Sequence, residues 1–341
     1  MENYSEIKKL GNGVMGVTYK IKANNKFYAL KRQKILKSEI NKSSKSKIWR
    51  EIKFANKMNK YPNHFMKLYK YEIIENCNHI QPISSKIFKP DTKFQKILNS
   101  YSDSDYCIEL IYDLKDGTLE QIINKLDQNQ IYSFIIQLTY AIYLMRSKGY
   151  FHTDIHTRNV AYIKCNLKTY IEIFGYKVPT YGYIWSLIDY GEVLSEKFEL
   201  KKSEKKYFSN PDFYLLDLFG ILWMLYIGSN RAFAYLHKLN KLTPYKDYLK
   251  SIKERPEYLF TKNMLKNNAT MFQISSLFSI LYPLENLKLM GMDLDLDANF
   301  NTPNGIKKYL ETKINQSDSL FFISNIDKPK ILIKYFYEKL K

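Results

Sequence analysis

His152-Thr153-Asp154-Ile155-His156-Thr157-Arg158-Asn159 is followed, after an intervening stretch, by Ile188-Asp189-Tyr190-Gly191. Two acidic stations split by one asparagine form the polar equipment of phosphoryl transfer. One carboxylate orients or deprotonates the acceptor hydroxyl, while a second carboxylate and an amide oxygen hold the magnesium ions that neutralise the transferring phosphate. Asp154 suits the first task, and Asn159 and Asp189 suit the second.

Upstream, Gly11-Asn12-Gly13-Val14-Met15-Gly16 taken alone marks a tight turn. Val17-Thr18 excludes a Walker A loop, which needs Lys and Ser/Thr directly after the last glycine, and a dinucleotide fold would want a helix there. The alternating run that follows, with Asn24-Asn25 as its turn, predicts a hairpin whose second strand carries Tyr28-Ala29-Leu30-Lys31. Residues 34 to 48 are a Lys/Ser-rich connector. The next segment, WREIKFANKM, predicts a helix with Trp49, Ile52, Phe54, Ala55 and Met58 as its apolar positions. A glycine loop, a lysine on a strand and a glutamate on the next helix follow the kinase order. Lys31 suits contact with the α- and β-phosphates of a nucleotide, and Glu51 suits its counter-ion. Glu39 is the rival partner, but it lies in the polar connector, where an ion pair is exposed and weak.

Further strands are expected around residues 65 to 75 and 106 to 112, with a polar, proline-containing surface insertion at 76 to 104. From residue 118 the period becomes helical. Ile131, Phe134, Ile135, Leu138, Ala141, Ile142 and Met145 form one helix, capped by Gly149. Residues 212 to 228 are apolar nearly all round and predict a buried helix, in which Asp217 requires hydrogen-bond partners. Residues 240 to 341 read as mainly helical. Asp293, Asp295 and Asp297 have calcium-loop spacing, but Ala298 and Asn304 stand where glycine and glutamate are required, so a solvated loop is expected.

The chain has 341 residues and 45% hydrophobic content, enough for two joined lobes or one large domain. No apolar run is long enough to span a bilayer, which leads us to expect a soluble intracellular protein without a membrane partner. Cys77, Cys107 and Cys165 show no paired spacing and read as buried or incidental thiols rather than a disulfide framework. The formal charge of +19 invites a nucleic-acid partner, but arginine occurs only at 32, 50, 146, 158, 231 and 255. A lysine-rich solvated surface, of the kind an A/T-rich coding sequence supplies, accounts for the charge, and no motif supports nucleic-acid binding.

With GNGVMG, YALK, Glu51, HTDIHTRN, IDYG and DLFG in order, the chain resembles the eukaryotic protein kinase superfamily over residues 8 to 230. Its details resemble the haspin-like branch: Asp154 is followed by Ile-His, the span from Asn159 to Asp189 is long, Tyr190 replaces the usual Phe, and no APE triplet follows. They also match divergent kinases of large DNA viruses, which implies a host cytoplasm or nucleus, or a virion, as the location. The resemblance implies a bilobal α+β fold with MgATP in its cleft: an antiparallel β-rich N-lobe at 1–113 and a larger, mainly helical C-lobe at 114–341. The C-lobe would hold the catalytic loop 152–159, an insertion at 164 to 184 and the metal motif 189–191.

It further implies that Gly11, Gly13, Gly16, Ala29, Lys31, Ile111, Tyr112 and Leu114 contact ATP, with Ile111 guarding the inner pocket and the backbone around Tyr112, Asp113 and Leu114 facing adenine. Asp154, Lys31, Glu51 and His156 would be catalytic, His156 replacing the lysine that touches the γ-phosphate, and Asn159 and Asp189 would hold Mg2+. Asp217 would brace the catalytic loop. Thr153 replaces the arginine that pairs with a phosphorylated loop, so activity is expected not to depend on that phosphorylation. The implied acceptor is Ser or Thr on a protein, such as a basic or chromatin-like tail. The alternatives are an aminoglycoside- or choline-type phosphotransferase and a catalytically weak pseudokinase scaffold.

Overall fold

The structure, a computed structural model, describes residues 4–12, 16–77, 100–101, 103–208, 217–218, 220–221, 325 and 327–341. Most of the insertion at 76 to 104, most of the helix expected at 212 to 228, residues 293 to 297 and most of the tail lie outside them. The chain divides into two compact units, Met1–Asp116 with Ile188–Val193, and Gly117–Leu187 with Leu194–Lys341. The architecture is mixed α+β, with the larger antiparallel sheet in the first unit.

The first unit is built on β1 (Ser5–Asn12), β2 (Gly16–Ala23), β3 (Lys26–Ile35), β4 (Leu68–Ile74) and β5 (Tyr106–Asp113), in the order β1-β2-β3-β5-β4. Asn24 and Asn25 turn the β2–β3 hairpin with φ of 48° and 59°. Both lie in the left-handed region that asparagine tolerates best among side-chain-bearing residues, so the turn follows from the sequence. Gly16 has a steric reason to be glycine, because a Cβ there would collide with the Arg32 carbonyl on β3. Helix α1 (Lys47–Met58) buries Trp49, Ile52, Phe54, Ala55 and Met58, the positions its periodicity assigns to the core.

The cysteine expectation is corrected. Cys77 and Cys107 form a disulfide across 30 residues, with Cα atoms 5.7 Å apart, and Cys165 remains a thiol. The pairing arises from the sheet: β4 ends with Ile74 opposite Cys107, and the Cys77 amide donates to the Asp105 carbonyl at 2.9 Å, which returns the chain onto β5. Spacing along the sequence carries no trace of this long-range register.

His64 is expected to make the first unit acid-sensitive. Burial, followed by the nearby Lys115 ammonium, pushes its pKa down to about 4. An unfolded histidine titrates near ~6.5, so the neutral ring contributes fully above that pH and its contribution, up to about 3 kcal/mol, is lost as the pH falls toward the folded value. Denaturant unfolding at neutral pH and at the acid end should therefore show a smaller acid loss in His64→Gln than in the wild type. Equal losses would remove His64 as the cause.

In the second unit, β6 (Gly117–Thr118), β7 (Val160–Lys164) and β10 (Tyr183–Leu187) form a three-stranded sheet ordered β10-β7-β6, and β8 (Tyr170–Ile173) pairs with β9 (Tyr176–Pro179). Residues 164 to 184 thus form a hairpin insertion between β7 and β10. Helix α2 (Gln128–Ser147) is capped by Asp127, whose side chain accepts from the Gln130 amide, and ends before Gly149 at φ 77°. Its face packs on helix α3 (Pro329–Lys339), with Tyr132 and Phe336 centroids 5.5 Å apart. Buried Gln137 links α2 to β10 by accepting from the Trp185 amide at 2.9 Å and donating to the Tyr183 carbonyl at 3.1 Å. Among the described residues no helix is long and apolar enough to cross a membrane.

Candidate functional site

Within the first unit, one lysine collects two acids from distant parts of the chain. The Lys31 ammonium on β3 donates to Glu51 Oε1 at 2.9 Å, Glu51 Oε2 at 3.0 Å and Asp189 Oδ1 at 2.8 Å. Burial alone would push the ammonium down, but Asp189 and Glu51 together outweigh it and hold its pKa above the usual lysine value. It stays charged. For Glu51 burial dominates and raises the carboxyl, with Lys31 opposing. The rival Glu39 is engaged elsewhere, accepting from the Leu36 amide at 2.9 Å, Ser46 Oγ at 2.6 Å and the Tyr101 hydroxyl at 3.0 Å.

The sheet register changes the reading of β5. Ala29 pairs with Tyr112 and Leu30 with Ile111, so Tyr112 shares the face of Ala29 and Lys31. Tyr112 is buried and donates to Glu51 Oε1 at 2.9 Å, its hydroxyl kept protonated by burial and by Glu51. The expectation that Ile111 guards the inner pocket is corrected, because its side chain packs with Ile21 and Leu30 on the opposite face. The backbone of Tyr112 lies within the ladder between Ala29 and Leu68, and the Asp113 amide donates to the Lys67 carbonyl at 3.0 Å. Of the residues expected to face adenine through their backbone, Leu114 is the first past the strand. Gly11 lies exposed on β1, Gly16 is buried at the start of β2, and Gly13 is outside the described residues.

Asp189 has φ 57°, a left-handed conformation unusual for a side-chain-bearing residue, and its carboxylate is half exposed. Such strain concentrates at functional sites and is held by the surroundings. Here the surroundings include Tyr190, wholly buried, whose hydroxyl accepts from the Met66 amide at 2.6 Å.

In the second unit, the loop from 152 to 159 is braced from beneath. Asp217 is buried and accepts from the amides of His152 and Thr153, both at 2.8 Å. Burial raises its carboxyl, with His152 and the two amides pulling the other way. Thr153 has φ 67°, costly for a β-branched residue, and the bond from its amide to Asp217 holds it there. Gly220 lets this short helical segment approach, since a Cβ would meet Ile155 Cβ at 2.9 Å. Asn159 donates through Nδ2 to the Asp154 carbonyl and to Asp154 Oδ2, each at 2.9 Å, which leaves its amide oxygen as the atom suited to a metal. His156 accepts at Nδ1 from the Arg158 amide at 3.2 Å, so Nε2 carries the ring proton, 3.6 Å from Asp154 Oδ2. His156 thus sits beside the carboxylate expected to act as base.

The Asp189 carboxylate in the first unit and the Asn159 amide oxygen in the second are each the kind of hard oxygen that Mg2+ takes alongside waters and phosphates. Among the described residues no group of three or more His, Cys, Asp or Glu side chains forms a self-sufficient metal site. Lys31, held charged in the middle of β3, fits a phosphate. The chain is thus a mixed α+β protein with a Lys-Glu-Asp cluster in one unit and a braced Asp-Asn loop in the other. No protein-family model matches it. It is similar to "Uncharacterized protein 098R" of Invertebrate iridescent virus 6, at 33% identity over 132 residues. The match covers 33% of this chain and 22% of that protein, so the similarity spans about a fifth of the relative's length.

Proposed function

We propose that this chain is a divergent, haspin-like protein kinase that transfers the γ-phosphate of MgATP to Ser or Thr hydroxyls of a protein. The observation that carries the reading is the cluster of Lys31 with Glu51 and Asp189, drawn from positions 20 and 158 residues apart by hydrogen bonds of 2.8 to 3.0 Å. A lysine, a helix glutamate and a metal-binding aspartate in that relation are what phosphoryl transfer requires. The braced loop adds Asp154 and Asn159. The viral relative and the Lys-, Asn-, Ile- and Tyr-rich composition support a large-DNA-virus origin, with activity in the host cytoplasm or nucleus or within a virion.

In this mechanism Lys31 holds the α- and β-phosphates while Glu51, fixed by Tyr112, keeps the ammonium in place. Mg2+, if bound, would supply charge neutralisation at the transferring phosphate, and the Asp189 carboxylate and the Asn159 amide oxygen are the groups that would hold it. Asp154 accepts the proton of the acceptor hydroxyl or orients it. His156, through Nε2–H, supports the charge on Asp154. The reading needs these residues to serve one nucleotide.

Titration calorimetry tests nucleotide binding directly. Wild-type protein is expected to bind ATP in the presence of Mg2+, and Lys31→Met to lose affinity by at least ~10-fold, the loss of one charge-assisted contact. Wild-type protein that binds neither ATP nor MgATP would overturn the proposal. Tight MgATP binding with phosphate transfer to aminoglycoside or choline, and none to protein, would move the assignment to a small-molecule phosphotransferase.

A further inference from the structure

Segment 188–193 is the one part of the first unit contributed from far along the chain. Among the side-chain attachments that hold it there, besides the Asp189–Lys31 pair, are three. The Tyr190 ring lies edge-on to Phe54 of α1, with centroids 4.7 Å apart. Glu192 pairs with Lys47, but both side chains are half exposed, so that contact is weak. The third is the Tyr190 hydroxyl, which accepts from the Met66 amide at 2.6 Å and points its own proton toward the Met66 carbonyl at 3.4 Å. Met66 lies in the loop between α1 and β4, outside any helix or strand. A phenylalanine at 190 could fill the same space but could not satisfy that part-buried amide.

We propose that the Tyr190 hydroxyl is a latch: a positioning group that fixes segment 188–193 on the Met66 backbone and so holds Asp189, in its left-handed conformation, against Lys31. The segment is set by a part-buried hydrogen bond from a wholly buried tyrosine and needs no added phosphate to order it. The catalytic consequence rests on the kinase reading above, whereas the latch itself rests only on the geometry within the first unit. Tyr190 acts through Asp189 and touches no reacting atom.

The test is Tyr190→Phe, read by hydrogen exchange of backbone amides and by the Mg2+ dependence of ATP binding. In the variant, exchange at Met66 and Val193 should rise by ~10-fold, the scale of one hydrogen bond, while amides of β3 and β5 stay within about twofold. The Mg2+ concentration needed for half-maximal ATP binding should rise by a similar ~10-fold, with metal-free ATP affinity unchanged, because only Asp189 is displaced. Glu192→Gln should change neither. Exchange that is unchanged, or that rises equally across β3 and β5, would overturn the latch and leave the kinase reading standing. Wild-type protein that binds no MgATP, combined with the localised rise in exchange, would overturn the kinase reading and retain the latch. Should Tyr190→Phe fail to fold, wild-type exchange decides: the Met66 amide must be as slow as those of β5, and fast exchange there overturns the proposal.

Discussion

Asp154→Asn and Asp189→Asn are each expected to lower the turnover of phosphate transfer by ~10²–10⁴-fold, about 2.7 to 5.4 kcal/mol of transition-state stabilisation. The two substitutions act at different points. At 154 the amide still accepts the Asn159 Nδ2 bond through its oxygen, so the loop keeps its shape while the group proposed to receive the hydroxyl proton is lost. At 189 the change removes the proposed metal ligand and one of the two negative partners of Lys31. Steady-state kinetics with Mg2+ varied separates them: Asp189→Asn should raise the Mg2+ requirement, and Asp154→Asn should leave it unaltered. Unfolding midpoints close to the wild type would show that the loss is chemical. Either variant with wild-type turnover would remove that residue from the mechanism.

Asp217→Ala should strongly destabilise the second unit. It removes the acceptor of the buried His152 amide and of the part-buried Thr153 amide, at about 1–3 kcal/mol each, so a loss of about 2–6 kcal/mol in unfolding free energy is expected. It also releases Thr153 from its left-handed conformation, and Asp154 is the next residue. Activity should therefore fall further than the unfolded fraction explains. Asp217→Asn, which keeps one acceptor oxygen, should lie between alanine and the wild type. Denaturant titration checks this, and an alanine variant within ~0.5 kcal/mol of the wild type, the ordinary range for a surface substitution, would show that the loop is held by something else.

What the sequence made legible was local or ordinal. Asn24-Asn25 announced a hairpin because both residues tolerate positive φ, and the spacing of apolar residues from Ile131 to Met145 announced helix α2 because one face repeats at helical period. The order of glycine loop, lysine and glutamate pointed to Lys31 and Glu51, and the structure pairs them. What stayed hidden depends on register between distant segments. Whether Ile111 or Tyr112 shares the face of Lys31 follows from the pairing of Ala29 with Tyr112, and a one-residue slip would exchange them. The Cys77–Cys107 bond depends on the same sheet. The packing of segment 188–193 within the first unit is a contact between chain segments more than a hundred residues apart, and the tyrosine at 190 was its one visible sign. Read as a departure from phenylalanine, it gained a role once its hydroxyl was seen on Met66.

The most direct test of phosphoryl transfer is incubation of wild-type protein and Asp189→Asn with γ-labelled ATP, Mg2+ and a mixed peptide library that includes basic tails. Label on Ser or Thr of peptides with the wild type, Mg2+-dependent and lost in Asp189→Asn, is the result the structure leads us to expect. No transfer to any peptide by wild-type protein that binds MgATP, or equal transfer by the two proteins, would contradict it.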